Sequence, residues 1–116
     1  MIKLKPNPTF KHTVALTVAG SAEGAKVEFT FRHKGVAALD AWVKKPGLMA
    51  RDGVTLSSVQ YLDEVIEAWS GPINDDGTDA LYSPEALQRL LDAYPPSAQE
   101  IYDGYRAALE TSRAKN

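Results

Sequence analysis

Two stretches of alternating apolar and polar residues, separated by a run of small ones, constrain this chain more than any other feature. Phe10, Val14, Leu16 and Val18 sit at even positions, with Lys11, Thr13, Ala15 and Thr17 between them. Val27, Phe29 and Phe31 then alternate with Lys26, Glu28, Thr30 and Arg32. A period of two sends successive side chains to opposite faces of a strand, so each stretch has one apolar and one wet face. Ala19 to Ala25, AGSAEGA, supplies turn chemistry between them. The pattern predicts an antiparallel hairpin over about Thr9–Val18 and Lys26–Arg32. A lone hairpin is marginal in water, so its apolar face needs a cover.

The rest of the chain reads as that cover. Gly35 to Lys45 predicts a helix with Val36, Leu39 and Val43 on one side and Pro46-Gly47 to stop it. Leu48 to Leu56 has no clear period and reads as loop. Ser57 or Ser58 caps a second helix running to about Trp69, with Leu62, Val65, Ile66 and Trp69 on one face. Gly71-Pro72 ends it, and a polar loop follows from Ile73 to Leu81. Ser83-Pro84-Glu85 is an N-cap with proline at the first helical position, followed by the stripe Leu87, Leu90, Leu91 and Tyr94. After Pro95-Pro96, Ser97 and Glu100 form a capping box for a last helix striped by Ile101, Tyr102, Tyr105, Ala108 and Leu109. Thr111 to Asn116 are expected to fray.

The expected fold class is therefore α+β: an N-terminal antiparallel β-hairpin packed on a C-terminal layer of four α-helices near 35–45, 57–69, 84–94 and 98–111. One domain spans 1–116, with the hairpin at 9–32 and the helical part at 35–111. A compact chain of 12.6 kDa exposes about 6,200 Å² of the about 18,000 Å² its unfolded form shows, so a real core is available. Trp42 and Trp69 belong in that core, Trp69 against Leu87, Leu90 and Leu91. Tyr82, Tyr94, Tyr102 and Tyr105 read as packing for the last two helices, hydroxyls at the rim.

Composition removes several functions. With no cysteine there is no disulfide, thiolate zinc site or cysteine nucleophile. No run approaches the about 18–20 apolar residues of a membrane span, and MIKLKPNPTF, charged and twice broken by proline, is no secretory signal. The reading is a soluble, cytoplasmic chain. Its net charge of −2 is segregated: residues 1–47 hold eight Lys/Arg and three Asp/Glu, residues 48–116 five and twelve. The basic part is too spread to hold nucleic acid, which needs clustered Lys/Arg. Opposite halves can meet within one molecule or between copies, and a homo-oligomer is expected on that ground.

Chemical motifs fail on inspection. Asn74-Asp75-Asp76-Gly77 suggests a calcium loop, but setting Gly77 as its sixth position puts Pro72 first and Ser83 twelfth, where oxygen ligands are needed. His12 and His33 lack a third metal ligand. No G-x-S-x-G elbow, glycine-rich phosphate loop or H-E-x-x-H is present. The expectation is a protein that is not an enzyme and uses no cofactor or metal. The remaining candidate surface is acidic: residues 63–79 contain Asp63, Glu64, Glu67, Asp75, Asp76 and Asp79 and no Lys or Arg. Asp63, Glu64 and Glu67 lie off the apolar stripe of the expected second helix and should face water. This is either a partner-binding face or a solubilising one.

The whole chain resembles the tail assembly chaperones of long-tailed, siphovirus-type bacteriophages. The resemblance rests on the proline-containing start Lys3 to Phe10 and on Phe29-Thr30-Phe31-Arg32-His33-Lys34. It continues through Asp63-Glu64-Val65-Ile66-Glu67-Ala68-Trp69, Tyr82-Ser83-Pro84-Glu85-Ala86-Leu87 and Leu90-Leu91-Asp92-Ala93-Tyr94-Pro95. It closes with the Tyr102-to-Tyr105 helix and Arg113-Ala114-Lys115-Asn116. The resemblance implies a non-enzymatic role in the cytoplasm of the host, encoded by a phage or prophage. Such proteins bind the tape measure protein, keep it soluble, help recruit tail-tube subunits and are absent from the mature virion. The major tail protein is reached in many members through a longer, frameshifted form. The acidic stretch would then be a docking face for a basic segment of the tape measure protein. The rival reading is a structural virion subunit of neck or tail-terminator type.

Overall fold

In the computed structural model, which describes residues 2–110, β1 (Thr9–Leu16) and β2 (Ala25–Arg32) form the expected antiparallel hairpin. Phe10 stands opposite Phe31, His12 opposite Phe29 and Val14 opposite Val27. Val18 falls beyond the end of β1. Gly24, at φ +68°, closes the turn so tightly that a Cβ there would collide with the carbonyl oxygen of Leu16.

The expected second helix is corrected. Only α2 (Ser58–Asp63) is helical there, capped as expected by Ser57, whose Oγ accepts from the Gln60 N–H at 3.1 Å. The chain then turns into a third strand, β3 (Ile66–Ser70), antiparallel to β2, so the sheet order is β1-β2-β3. The stripe that reads as helical has another origin. Phe29 faces Trp69 and Thr30 faces Ala68, but Phe31 faces Ile66, which leaves Glu67 as the extra residue of a bulge. An unbulged strand would set Glu67 opposite Phe31 on the core face. The bulge turns Glu67 outward and keeps both Ile66 and Trp69, three apart, on the side of Phe29 and Phe31. Arg32 clamps this junction, donating from its guanidinium to the carbonyls of Asp63 at 3.0 Å and Ile66 at 3.2 Å.

The first helix, α1 (Val36–Arg51), runs past Pro46 instead of stopping at it. Proline has no N–H to give the carbonyl four residues back, and that carbonyl, of Trp42, accepts instead from the Tyr61 hydroxyl at 2.6 Å. The stretch read as loop from Leu48 is therefore helical as far as Arg51. Two helices complete the layer, α3 (Pro84–Ala93), with Ser83 Oγ accepting from Ala86 N–H at 3.0 Å, and α4 (Ser97–Glu110). The expected capping box is absent. Ser97 Oγ donates back to the Tyr94 carbonyl at 2.6 Å, and Glu100 reaches Thr17, accepting from its N–H at 2.9 Å and its hydroxyl at 2.6 Å. The end of the last helix at 111, the fraying of Thr111–Asn116 and the Arg113–Asn116 stretch lie outside the described residues.

The core lies between one face of the sheet and the helices. Phe29, Phe31, Leu62, Val65, Ile66, Leu87, Ile101 and Tyr105 are fully buried in it. Tyr105 meets Phe31 edge-on, centroids 5.0 Å apart, and its hydroxyl donates to the Arg32 carbonyl at 2.7 Å. Trp42 is buried as expected, stacked on Tyr61 at 4.3 Å. It is the one buried residue of α1, all of which is described.

Candidate functional site

Past Ser70 the chain folds into a small hairpin of its own. Ile73 and Asp79 bridge antiparallel, and the Asn74 N–H donates to the Thr78 carbonyl at 2.8 Å. Asp76 Oδ1 accepts from the Thr78 N–H at 3.0 Å and hydroxyl at 2.6 Å. Those bonds to the ionised form hold its carboxyl below the usual carboxylate range. Gly77, at φ +87°, completes the turn. The acids that suggest a calcium loop are thus turn-forming residues. Among the described residues no group of three His, Cys, Asp or Glu could hold a metal ion. His33 instead sits edge-on to Phe10 at 6.5 Å.

Between this turn and α3 lies an open cleft. Trp69, Ala86, Leu90, Ala93 and Tyr94 line it, with Ile73 and Leu81 at its lips, Asp75, Asp76 and Glu85 as its acids and Arg89 as its cation. Ile73 is 65% exposed and Leu81 82%. Trp69 packs against the core as expected, but β3 presents it at the sheet edge, which leaves part of its ring open to the cleft beside Leu90. Its Nε1 donates to the Ala80 carbonyl at 2.6 Å and its ring meets Tyr82 edge-on at 5.1 Å. The indole so fixes the base of the turn.

The six acids of residues 63–79 do not share one face. Asp63 accepts from the Tyr82 hydroxyl at 2.6 Å, and Glu64 is paired with Lys45 at 2.7 Å. Both are half-buried, contrary to the expectation that they face water, because the chain turns from α2 into β3 at that point. Burial, and then the bond to Asp63, raise the Tyr82 pKa well above its ordinary value. Glu67 is exposed at the bulge, away from the cleft lining. Asp75, Asp76 and Asp79 are exposed on the turn. The sequence reading missed Ile73 and Leu81; the available signal was two large apolar residues bounding an otherwise polar loop.

A second apolar surface lies along α1. Ala38, Ala41, Trp42, Leu48 and Met49 line a groove bordered by Lys34, Lys45 and Glu64. Val36 is 91% exposed and Leu48 50%. No helix among the described residues is long and apolar enough to cross a membrane.

Compared with known proteins, the chain matches one family model over residues 1–116, its whole length, and that model describes a phage tail assembly chaperone. No curated protein and no solved structure matches it.

Proposed function

This chain belongs to the phage tail assembly chaperones, a membership that implies a non-enzymatic role, and from that premise we propose that it binds the tape measure protein of a long-tailed phage. In this reading it works in the host cytoplasm, keeps that client soluble, helps recruit tube subunits and is left out of the finished virion. Contact with the major tail protein would run through a longer frameshifted form. Self-association belongs to the same reading, since the basic and acidic parts of the chain suit contacts between copies.

The observation that carries the client role is the cleft beside α3. Exposed Ile73 and Leu81 at its lips are costly in water and suited to an apolar stripe on a partner. Asp75, Asp76 and Asp79 of the turn, with Glu67 on β3, give a partner of basic character a favourable approach; complementary charge speeds encounter and sets register. Asp63 and Glu64 are held by other bonds, to Tyr82 and, beside α1, to Lys45, and take at most a supporting part.

Quantitative mass spectrometry separates this role from that of a structural subunit. The chain should be abundant in lysates during tail assembly and at most a trace in purified virions. A fixed number of copies per virion would contradict the proposal in favour of a neck or terminator part.

A further inference from the structure

Although α1 is 16 residues long, Trp42 is the one it buries. Leu39 and Val43 are only partly buried against the core, and Val36 and Leu48 stand open. The helix is therefore held mainly at one place. The Trp42 indole stacks on Tyr61 at 4.3 Å and Tyr102 at 5.5 Å, and meets Tyr105 edge-on at 5.2 Å. Its Nε1 donates to the Tyr61 carbonyl at 3.3 Å, and Lys45, further along the helix, pairs with Glu64 at 2.7 Å. Beside this plug, Val43 and Pro46 leave a gap over α2 and α4 that is floored by Tyr61, Leu62, Ala98 and Tyr102. Glycines stand at both ends of the helix, Gly35 as an N-cap with no side-chain bond and Gly53 at φ +77°. A Cβ at either would meet nothing, so neither end is packed in place. An element with so few buried contacts is the part of a fold that opens first.

We propose that α1 is the resident occupant of a helix-binding groove between α2 and α4, and that it swings out to admit a helix of a partner protein. The resident helix shows what the groove takes: a large aromatic side chain with a Lys or Arg three positions further on. The aromatic residue fills the space among Tyr61, Tyr102 and Tyr105. The cation meets Glu64, which the departure of α1 leaves without Lys45. Lys34 stands at the same rim, and Arg106 near Tyr102 is committed to Glu110 at 2.7 Å. Charge therefore sets the register of the incoming helix, and apolar contact supplies the affinity. A second copy is a poor occupant, because its α1 would leave one groove for an identical one and give up the tether that holds it beside its own. A partner helix wins by burying more apolar surface than the single plug of α1. The groove is a second site, apart from the cleft beside α3, and the inference does not depend on a client using that cleft.

The purified chain and a synthetic peptide of its own residues 35–53 test this, the peptide standing in for the partner helix. In hydrogen exchange followed by mass spectrometry, the amides of α1 should exchange about a hundredfold faster than those of β2 and α4, through an opening of that helix alone. In fluorescence anisotropy the labelled peptide should bind the Trp42→Ala chain saturably. It should bind the unchanged chain about tenfold more weakly, because there the groove is free only while α1 is out. A peptide carrying Trp42→Ala should lose about tenfold or more of its affinity, the scale of a buried anchor. One carrying Lys45→Glu should lose about threefold to fivefold, the scale of a half-exposed ion pair. Circular dichroism verifies the fold of the Trp42→Ala chain. If that chain does not fold, the Lys45→Glu chain takes its place; it keeps the plug, sets an acid against Glu64, and should bind the peptide about threefold to fivefold more tightly than the unchanged chain. Amides of α1 that exchange no faster than those of α4 would overturn the proposal. So would a peptide that binds neither variant, binds all chains equally, or binds as well without its tryptophan.

Discussion

Pro46 has no N–H to offer the carbonyl of Trp42, and the Tyr61 hydroxyl donates there at 2.6 Å. Tyr61→Phe should therefore cost about 1–3 kcal/mol in urea unfolding, the penalty for leaving a shielded acceptor unpaired. In a Pro46→Ala background the helix supplies its own donor, so the same change should cost less. Equal costs in both backgrounds would mean the hydroxyl does not stand in for the missing N–H. Buried tyrosines also set the alkaline limit. Burial pushes the Tyr105 hydroxyl up from 10.0 to about 12, and burial first raises Tyr61 and Tyr82 as well. Between pH 10 and 12 the unfolded chain has lost protons that the folded chain keeps, so stability is whole below pH 10 and falls as pH rises through that window. Tyrosinate absorbance should rise together with the loss of helical circular dichroism. Ionisation of Tyr61, Tyr82 and Tyr105 near pH 10 in a chain that stays folded would contradict this.

At the scale of elements, α4 packs tightly on β1, where Gly104 sits on Val14. A Cβ at Gly104 would stand 2.7 Å from Val14 Cγ2. The branched valine has little freedom to move aside, so overpacking of about 1–3 kcal/mol should outweigh the about 1 kcal/mol that alanine gains over glycine in a helix. Gly104→Ala should thus lower the urea midpoint, and Val14→Ala should partly relieve it; a midpoint raised by Gly104→Ala would show that the sheet yields easily. The hairpin, the caps at Ser57 and Ser83 and the last two helices were legible because local chemistry specifies them. The third strand was not, because the bulge at Glu67 gives Ile66 and Trp69 a spacing of three, which belongs to helices unless the partner strand is known. The continuation of α1 past Pro46 depends on Tyr61, fifteen residues further along the sequence. The acidic turn could be read in sequence, whereas the commitment of Asp63 and Glu64 to Tyr82 and Lys45 needed the tertiary fold.

For the molecule as a whole, segregated charge and uncovered apolar surface suit a protein whose work is to hold other chains. The core is closed around Phe29, Phe31 and Tyr105, while α1 and the turn at 71–82 offer Leu48, Ile73 and Leu81 to the outside. In the proposed role, these surfaces would keep an aggregation-prone partner in solution by covering its apolar stripe. The family match over residues 1–116 makes the tape measure protein the partner to test. The most direct measurement is the soluble fraction of that protein, taken by ultracentrifugation of lysates in which it is expressed alone, with this chain, or with the Ile73→Asp/Leu81→Asp variant. It should pellet alone, stay largely in the supernatant and co-purify with the unchanged chain, and return mostly to the pellet with the variant. A soluble fraction that is the same with and without the chain would contradict the account.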